Sequence, residues 1–500
     1  MTPTATRRAA LLGALAVGAT VLTPTAVAGP QPPAIAFGPC PASVPAPPPP
    51  DRVECGTLRV PLDHRHPGGR HIDIAVSRVP ASGTPAERRG VLLVNPGGPG
   101  GSGLPYAVTK RAKLPASVRR SYDVIGFDPR GTGRSAPADC GPMGGLFDSP
   151  GADPVPRGRT AERAHLDALH RMAADCAAGT GEALPHLSTA ETVRDMDAIR
   201  TALGEPRIAF LGVSYGSYLG AAYAARYPRR VGAMVLDSVV GPWDWYDFDL
   251  RQSRALLDQR AVLFGWIAEH HERFGLGGTA AAVRAAYQRV RDGLADRPVD
   301  GFGAAGFDRA VYRALGRTER WTPLAEALRA YLRDGTVAGL RPAAPFDGPD
   351  SRTYEAANRA VKCADGPGPD PDRLLPDIRR LRRADPQPVL TGIEASVCAF
   401  WPHRPARRTP LGGPDVPPLL LIASEHDPVT PIAGARELRR TLPGSRLVTL
   451  YDDYSHGVFA SRGNVCVDAA AAAYLVGGSV PAADVRCQGP GLPEPGAPAS

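Results

Sequence analysis

Five residues, Gly212-Val213-Ser214-Tyr215-Gly216, constrain this chain more than any other stretch. Before them, Arg207 to Leu211 reads as a short buried strand. After them, Ser217 to Tyr227 is rich in small residues and reads as a helix that stops at Pro228. Strand, sharp turn and helix hold a serine at the apex of a strained turn, the arrangement called a nucleophile elbow. Such a turn crowds the backbone, and glycine on either side relieves the crowding. The five-residue pattern recurs by chance in many proteins; its place between a strand and a helix gives it weight.

Around this turn, strands alternate with helices. Thr57 to Leu62 and His71 to Val79 alternate like half-buried strands, with Pro67-Gly68-Gly69 as the turn between them. Gly90 to Val94, Tyr122 to Phe127 and Val231 to Val240 are the apolar runs expected of central parallel strands. Thr189 to Leu203 carries Val193, Met196, Ile199, Arg200 and Leu203 at helical spacing and feeds the strand before Ser214. The fold class is therefore α/β, with a mostly parallel central sheet flanked by helices. Residues 51–240 form the first part of this core.

From 241 to 409 the character changes to amphipathic helices, among them Gln252 to Phe274, Ala280 to Leu294 and Pro323 to Leu332. We read this stretch as an inserted helical cap. All five tryptophans (Trp243, Trp245, Trp266, Trp321, Trp401) fall within it, either as its core or as the lining of a substrate pocket. The core resumes over 410–487, with strands at Pro418 to Ser424 and Arg446 to Tyr451 and a closing helix at Cys466 to Leu475.

The ends are different. Arg7-Arg8, an apolar run from Ala9 to Leu22 and the small-residue site Ala26-Val27-Ala28 predict an export signal over residues 1–28. That run is too short to span a membrane stably. Residues 29–50 read as a proline-rich extended arm, and 488–500 as a disordered tail. Eight cysteines in an exported chain imply disulfides. Short loops close most cheaply, which predicts Cys40–Cys55, Cys140–Cys176, Cys363–Cys398 and Cys466–Cys487. The net charge of +8 comes from scattered arginines, without the clustered stripe that nucleic-acid binding needs. A secreted monomer is expected, with no nucleic-acid partner and no stable membrane insertion.

A serine hydroxyl is a weak nucleophile and needs a base, whose tautomer an acid must fix. The strand ending at Ser424 runs into Glu425-His426-Asp427, and the strand ending at Tyr451 runs into Asp452-Asp453-Tyr454-Ser455-His456. The chain order Ser214, Asp427, His456 matches nucleophile, acid and base, each in a loop after a strand. His426 adjoins Asp427 and cannot be its partner; Asp452 and Asp453 lie on the histidine's own loop. Tyr215 N–H, just after the nucleophile, is the first expected oxyanion donor. The second is Gly98, in the glycine-rich loop Asn95 to Gly103 after an early strand. That loop lacks the Gly-Lys-Ser/Thr ending of a phosphate cradle.

The motifs NPGGPGGSG (Asn95 to Gly103), DPRGTGRS (Asp128 to Ser135), GVSYGS at the elbow, ASEHDPVTP around Asp427 and YSHGVF around His456 together resemble the α/β-hydrolase fold. They most resemble its prolyl-iminopeptidase and secreted tripeptidyl-aminopeptidase branch, over about residues 35 to 490. The resemblance implies a serine exopeptidase that releases short N-terminal peptides without metal or organic cofactor. Pro96 stands where many relatives carry histidine, but the donor assigned here is Gly98. An aminopeptidase must also hold a cationic α-amine with a carboxylate. Asp365 and Glu394, near the Cys363–Cys398 bridge, are the candidates. A second reading is an esterase or amidase acting on small exported metabolites with the same three residues. A third, a non-catalytic binding protein on this scaffold, fits poorly because all three are present in order.

Overall fold

The computed structural model describes residues 1, 2, 4, 34–49, 51–141, 156–343, 349–385, 394–403 and 408–496. The expected cleavage site at Ala26-Val27-Ala28, with most of the leader, lies outside them. The first part of the chain gives β1 (Glu54–Pro61), β2 (His71–Val79), β3 (Gly90–Asn95), α1 (Leu104–Arg111), α2 (Ala116–Ser121) and β4 (Tyr122–Phe127). Next come α3 (Gly158–Thr180), α4 (Thr189–Ala202), β5 (Ile208–Val213), α5 (Tyr215–Arg226) and β6 (Val231–Asp237). The helical stretch holds α6 (Trp245–Glu269), α7 (His271–Phe274), α8 (Ala280–Asp296), α9 (Ala304–Leu315), α10 (Trp321–Asp334), α11 (Pro349–Ala364) and α12 (Pro371–Ala384). The chain closes with β7 (Leu420–Ser424), α13 (Ile432–Thr441), β8 (Arg446–Tyr451), α14 (Val465–Gly477) and β9 (Val485–Gln488).

All these strands form one sheet in the order β1-β2-β4-β3-β5-β6-β7-β8-β9. The pairs β1/β2 and β2/β4 are antiparallel, and every other pair is parallel. β3, β5 and β7 are buried along their whole length, which is why they read as unbroken apolar runs. The pleat sends successive side chains to opposite faces. Val91 and Leu93 therefore join one core with Ile208, Phe210 and Leu421, while Leu92 and Val94 join a second with Ala209, Leu211 and Leu420. α4 starts at a local signal: the Ser188 hydroxyl accepts the Glu191 N–H, the Ser-x-x-Glu pattern of a capped helix.

The helical stretch divides in two. α6, α8, α9 and α10 bury a separate core containing Trp266 and Trp321. α11 and α12 pack instead on the sheet-side core, through Ala357, Val361, Leu374 and Ile378, together with Trp245 at the start of α6. The tryptophans thus fall into both roles, Trp266 and Trp321 as core and Trp245 as pocket lining.

The cysteines pair as expected, Cys40–Cys55, Cys140–Cys176, Cys363–Cys398 and Cys466–Cys487. The first bridge pins the proline-rich arm, where Gly38 and Cys55 exchange backbone hydrogen bonds of 2.8 Å. One expectation is corrected. A disordered tail is expected over residues 488–500, yet among the described ones Gln488 ends β9, and beyond it Leu492 packs on the helical core while Trp266 Nε1 donates to the Pro493 carbonyl at 2.7 Å. A buried indole N–H needs an acceptor, and this one finds it in the chain's own terminus. Among the described residues, no helix is long and apolar enough to cross a membrane.

Candidate active site

β5 delivers Ser214 at φ 60° and ψ −126°, a backbone conformation that a non-glycine residue rarely adopts. The turn persists because its surroundings leave no alternative. Ser214 N–H donates to the Asp237 carbonyl at 2.9 Å, and the Ser214 carbonyl accepts the Ser217 hydroxyl at 2.6 Å. A Cβ added at Gly212 would lie 2.2 Å from the Gly216 carbonyl oxygen, and one at Gly216 would lie 2.8 Å from that of Asn95. Both glycines are therefore steric requirements of the turn. Tyr215 opens α5, so its N–H belongs to the first helical turn, where backbone donors lack intrahelical acceptors.

The glycine-rich loop packs directly on this elbow. A Cβ at Gly97 would lie 2.4 Å from the Val213 carbonyl oxygen and 3.1 Å from Tyr215 N. Gly97 N–H is taken by Asn95 Oδ1 at 2.9 Å. Gly98, at φ +116°, follows and faces the same cleft as Ser214 and Tyr215.

Asp427 and His456 meet across the ends of β7 and β8, with Asp427 Oδ2 2.8 Å from His456 Nδ1. The carboxylate is buried and fully engaged: Oδ1 accepts Val429 N–H at 2.8 Å and Thr430 N–H at 3.0 Å, and Oδ2 accepts the Thr430 hydroxyl at 2.7 Å. Burial alone would raise its pKa, but the neighbouring His456 and the Thr430 bonds outweigh it and hold the pKa below the usual value. His456 lines the cleft with Ser214.

The structure adds a support that the sequence did not announce. Asp237, at the end of β6, is buried and accepts Val458 N–H at 3.0 Å and Phe459 N–H at 2.9 Å, while the Ser238 hydroxyl accepts Gly457 N–H at 2.8 Å. These bonds fix the loop immediately after His456. Lys110 closes the same loop from below, donating to the Phe459 carbonyl, the Ala460 carbonyl at 3.3 Å and the Ser461 hydroxyl at 3.1 Å. Burial pushes the Lys110 pKa down to about 8. The folded chain therefore releases this proton before the unfolded chain does, and this group's contribution to stability rises with pH above about 8. Urea unfolding at pH 7.5 to 10 should show the wild type gaining stability relative to Lys110→Met as pH rises.

The helical stretch clamps the loops that carry Asp427 and His456. Gln252 Nε2 on α6 donates to the Val429 carbonyl at 2.7 Å, Gln259 Nε2 to that of Tyr454 at 3.0 Å, and His456 N–H to that of Gly316 at 3.0 Å. Sheet and cap together enclose a cleft of about 390 Å3. Asp365 does not line it. Its two oxygens are buried against Thr189 N–H at 2.7 Å and the Thr189 hydroxyl at 2.6 Å, with Trp245 Nε1 at 3.3 Å. Burial raises its pKa to about 6. The side chain of Glu394 lies outside the described residues. Among the described residues, the carboxylate that does line the cleft is Glu355 on α11, paired with Arg359 Nη1 at 2.5 Å. Asn358, one turn on, is buried in the same wall. Its Nδ2 donates to the Pro99 carbonyl at 3.2 Å, and its Oδ1 has no hydrogen-bond partner among the described residues. Nothing in the local sequence singles out either residue, since only the course of α11 brings them to the cleft.

The family model for the alpha/beta hydrolase fold matches residues 90–462. The chain belongs to that family. This hydrolase is 38% identical over 464 residues to the tripeptidyl aminopeptidase of Streptomyces coelicolor, covering 89% of this chain and 85% of that protein. It is 31% identical over 480 residues to the serine protease Hip1 of Mycobacterium tuberculosis, covering 91% of each. It is also 33% identical over 461 residues to carboxylesterase B of Mycobacterium tuberculosis, covering 87% of this chain and 86% of that protein.

Proposed function

We propose that this hydrolase is an exported serine peptidase that removes short peptides from free N termini. One observation carries the reading: Ser214, Tyr215, Gly98, His456 and Glu355 line a single cleft, with Asp427 bonded to the far side of the imidazole. Ser214 Oγ attacks the scissile carbonyl as His456 Nε2 takes its proton. The developing oxyanion receives the N–H groups of Tyr215 and Gly98. His456 then protonates the leaving amine, and water, activated by the same ring, hydrolyses the acyl-enzyme. Asp427 keeps the Nδ1 proton in place throughout. The relatives named as a tripeptidyl aminopeptidase and a serine protease support peptide hydrolysis. The four disulfides support an oxidising location such as the extracellular space.

In this reading Glu355 takes the anchoring role for the substrate α-ammonium, with Asn358 Oδ1 one turn away as a second acceptor. A charge-assisted contact of this kind contributes roughly tenfold to a hundredfold in affinity. A free-amine tripeptide amide should exceed its N-acetylated twin in kcat/KM by about that factor, and Glu355→Gln should bring the ratio towards one. Equal turnover of both substrates by the wild type contradicts the aminopeptidase reading.

The resemblance to carboxylesterase B favours a second reading, an esterase or amidase for small exported metabolites using the same residues. Preference for the blocked substrate, or turnover confined to esters, would support it instead.

A further inference from the structure

We propose that the substrate carries a carboxylate on the leaving-amine side of the scissile bond, and that Arg317 and Arg320 receive it. This deepens the peptidase reading and rests on it.

The first observation is placement. His456 N–H donates to the Gly316 carbonyl at 3.0 Å. A Cβ at Gly316 would lie 3.9 Å from His456 Cβ and 3.2 Å from Val429 Cγ2. The segment that follows α9 is therefore held against the base and acid loops. Arg317 and Arg320 lie on that segment, and both line the cleft that contains Ser214. The general acid must reach the leaving nitrogen, so the departing chain passes beside His456. In this arrangement the retained N-terminal portion lies with Gly98, Tyr354 and Glu355, which line the same cleft; a Cβ at Gly98 would lie 3.2 Å from the Tyr354 ring.

The second observation is charge. On the α11 side, cations meet carboxylates: Lys362 lies 3.0 Å from Asp249 and Arg359 2.5 Å from Glu355. On the base side, the carboxylate is Glu319, and two guanidiniums share it. Arg462 Nη1 is 2.7 Å from its Oε2, and Arg317 Nη1 is 3.6 Å from its Oε1. Arg320 Nη1 is turned to the neutral carbonyl of Arg313 at 3.4 Å. Two guanidiniums thus share one carboxylate, and a third, that of Arg320, lies close enough to Arg317 to act on its charge. Burial lowers the Arg317 pKa, and the charges of Arg462 and Arg320 add to that effect while Glu319 opposes it. A substrate carboxylate would supply negative charge where cations crowd, and guanidinium geometry suits a carboxylate well.

The carboxylate has two sources, an acidic side chain just past the scissile bond or the free C-terminus of a peptide one residue longer than the released fragment. Two pairs of free-amine peptides separate them. The first pair is C-terminally amidated and differs only in Asp against Asn as the first leaving residue. The second pair is a tetrapeptide as free acid against its amide. In at least one pair the carboxylate form should be cleaved about tenfold better in kcat/KM. The preference should shrink between about 50 and 500 mM NaCl, as screening of a half-exposed site requires. Arg317→Gln with Arg320→Gln should reduce it towards one. Ratios near one in both wild-type pairs, or a preference untouched by salt and by the double variant, overturn the inference while leaving the peptidase reading standing. Failure to cleave any of the four peptides overturns both.

Discussion

Ser214→Ala lowers kcat/KM on a free-amine tripeptide amide by about 10^4-fold or more, with the urea midpoint little changed. Removing the nucleophile of such a set costs about 10^6 in the best-studied serine peptidases, and the remaining rate comes from oxyanion stabilisation and binding. The fold should tolerate the change. Alanine keeps a Cβ at φ 60°, and what holds the turn is the Asp237 carbonyl, the Ser217 hydroxyl and the two glycines rather than the Ser214 side chain. Steady-state kinetics beside an unfolding curve check both halves. A variant that unfolds early would point to a structural hydroxyl, and one that keeps its rate would remove the nucleophile assignment.

Asp427→Asn lowers kcat/KM by about 10^4-fold, through the wrong tautomer rather than lost packing. Val429 and Thr430 N–H groups point at Oδ1 and will hold the new amide oxygen there. The amide NH2 must then face His456 Nδ1, now 2.8 Å from Oδ2. Two donors cannot share that bond, so Nδ1 becomes an acceptor and the ring proton moves to Nε2. A ring protonated on Nε2 cannot accept the serine proton. The effect should sit mainly in kcat. A loss confined to KM would place Asp427 in binding instead.

Much of this was legible because it is local. The elbow is written in consecutive residues, since Gly212 and Gly216 touch parts of the turn itself and Asn95 just beside it. The order of Ser214, Asp427 and His456 was readable because each follows a strand whose apolar run is buried on both faces. The cysteine pairs followed from short separations. What failed to show depends on long-range packing. Asp365 and Glu355 both belong to the α11 region, and sequence gives no reason to send one behind Thr189 and the other into the cleft. Asp237 reads as an ordinary strand end, although its carboxylate holds a loop more than two hundred residues away. The segment beyond β9 has a composition of disorder, and contacts from distant residues, the Trp266 indole and Arg273 among them, show why it docks.

The most direct test treats the purified protein with a fluorophosphonate probe and locates the adduct by peptide mass spectrometry. One adduct is expected, on Ser214, whose formation abolishes hydrolysis of the free-amine tripeptide amide and is absent in Ser214→Ala. An adduct on another serine that abolishes the activity, or full activity with Ser214 modified, would contradict it.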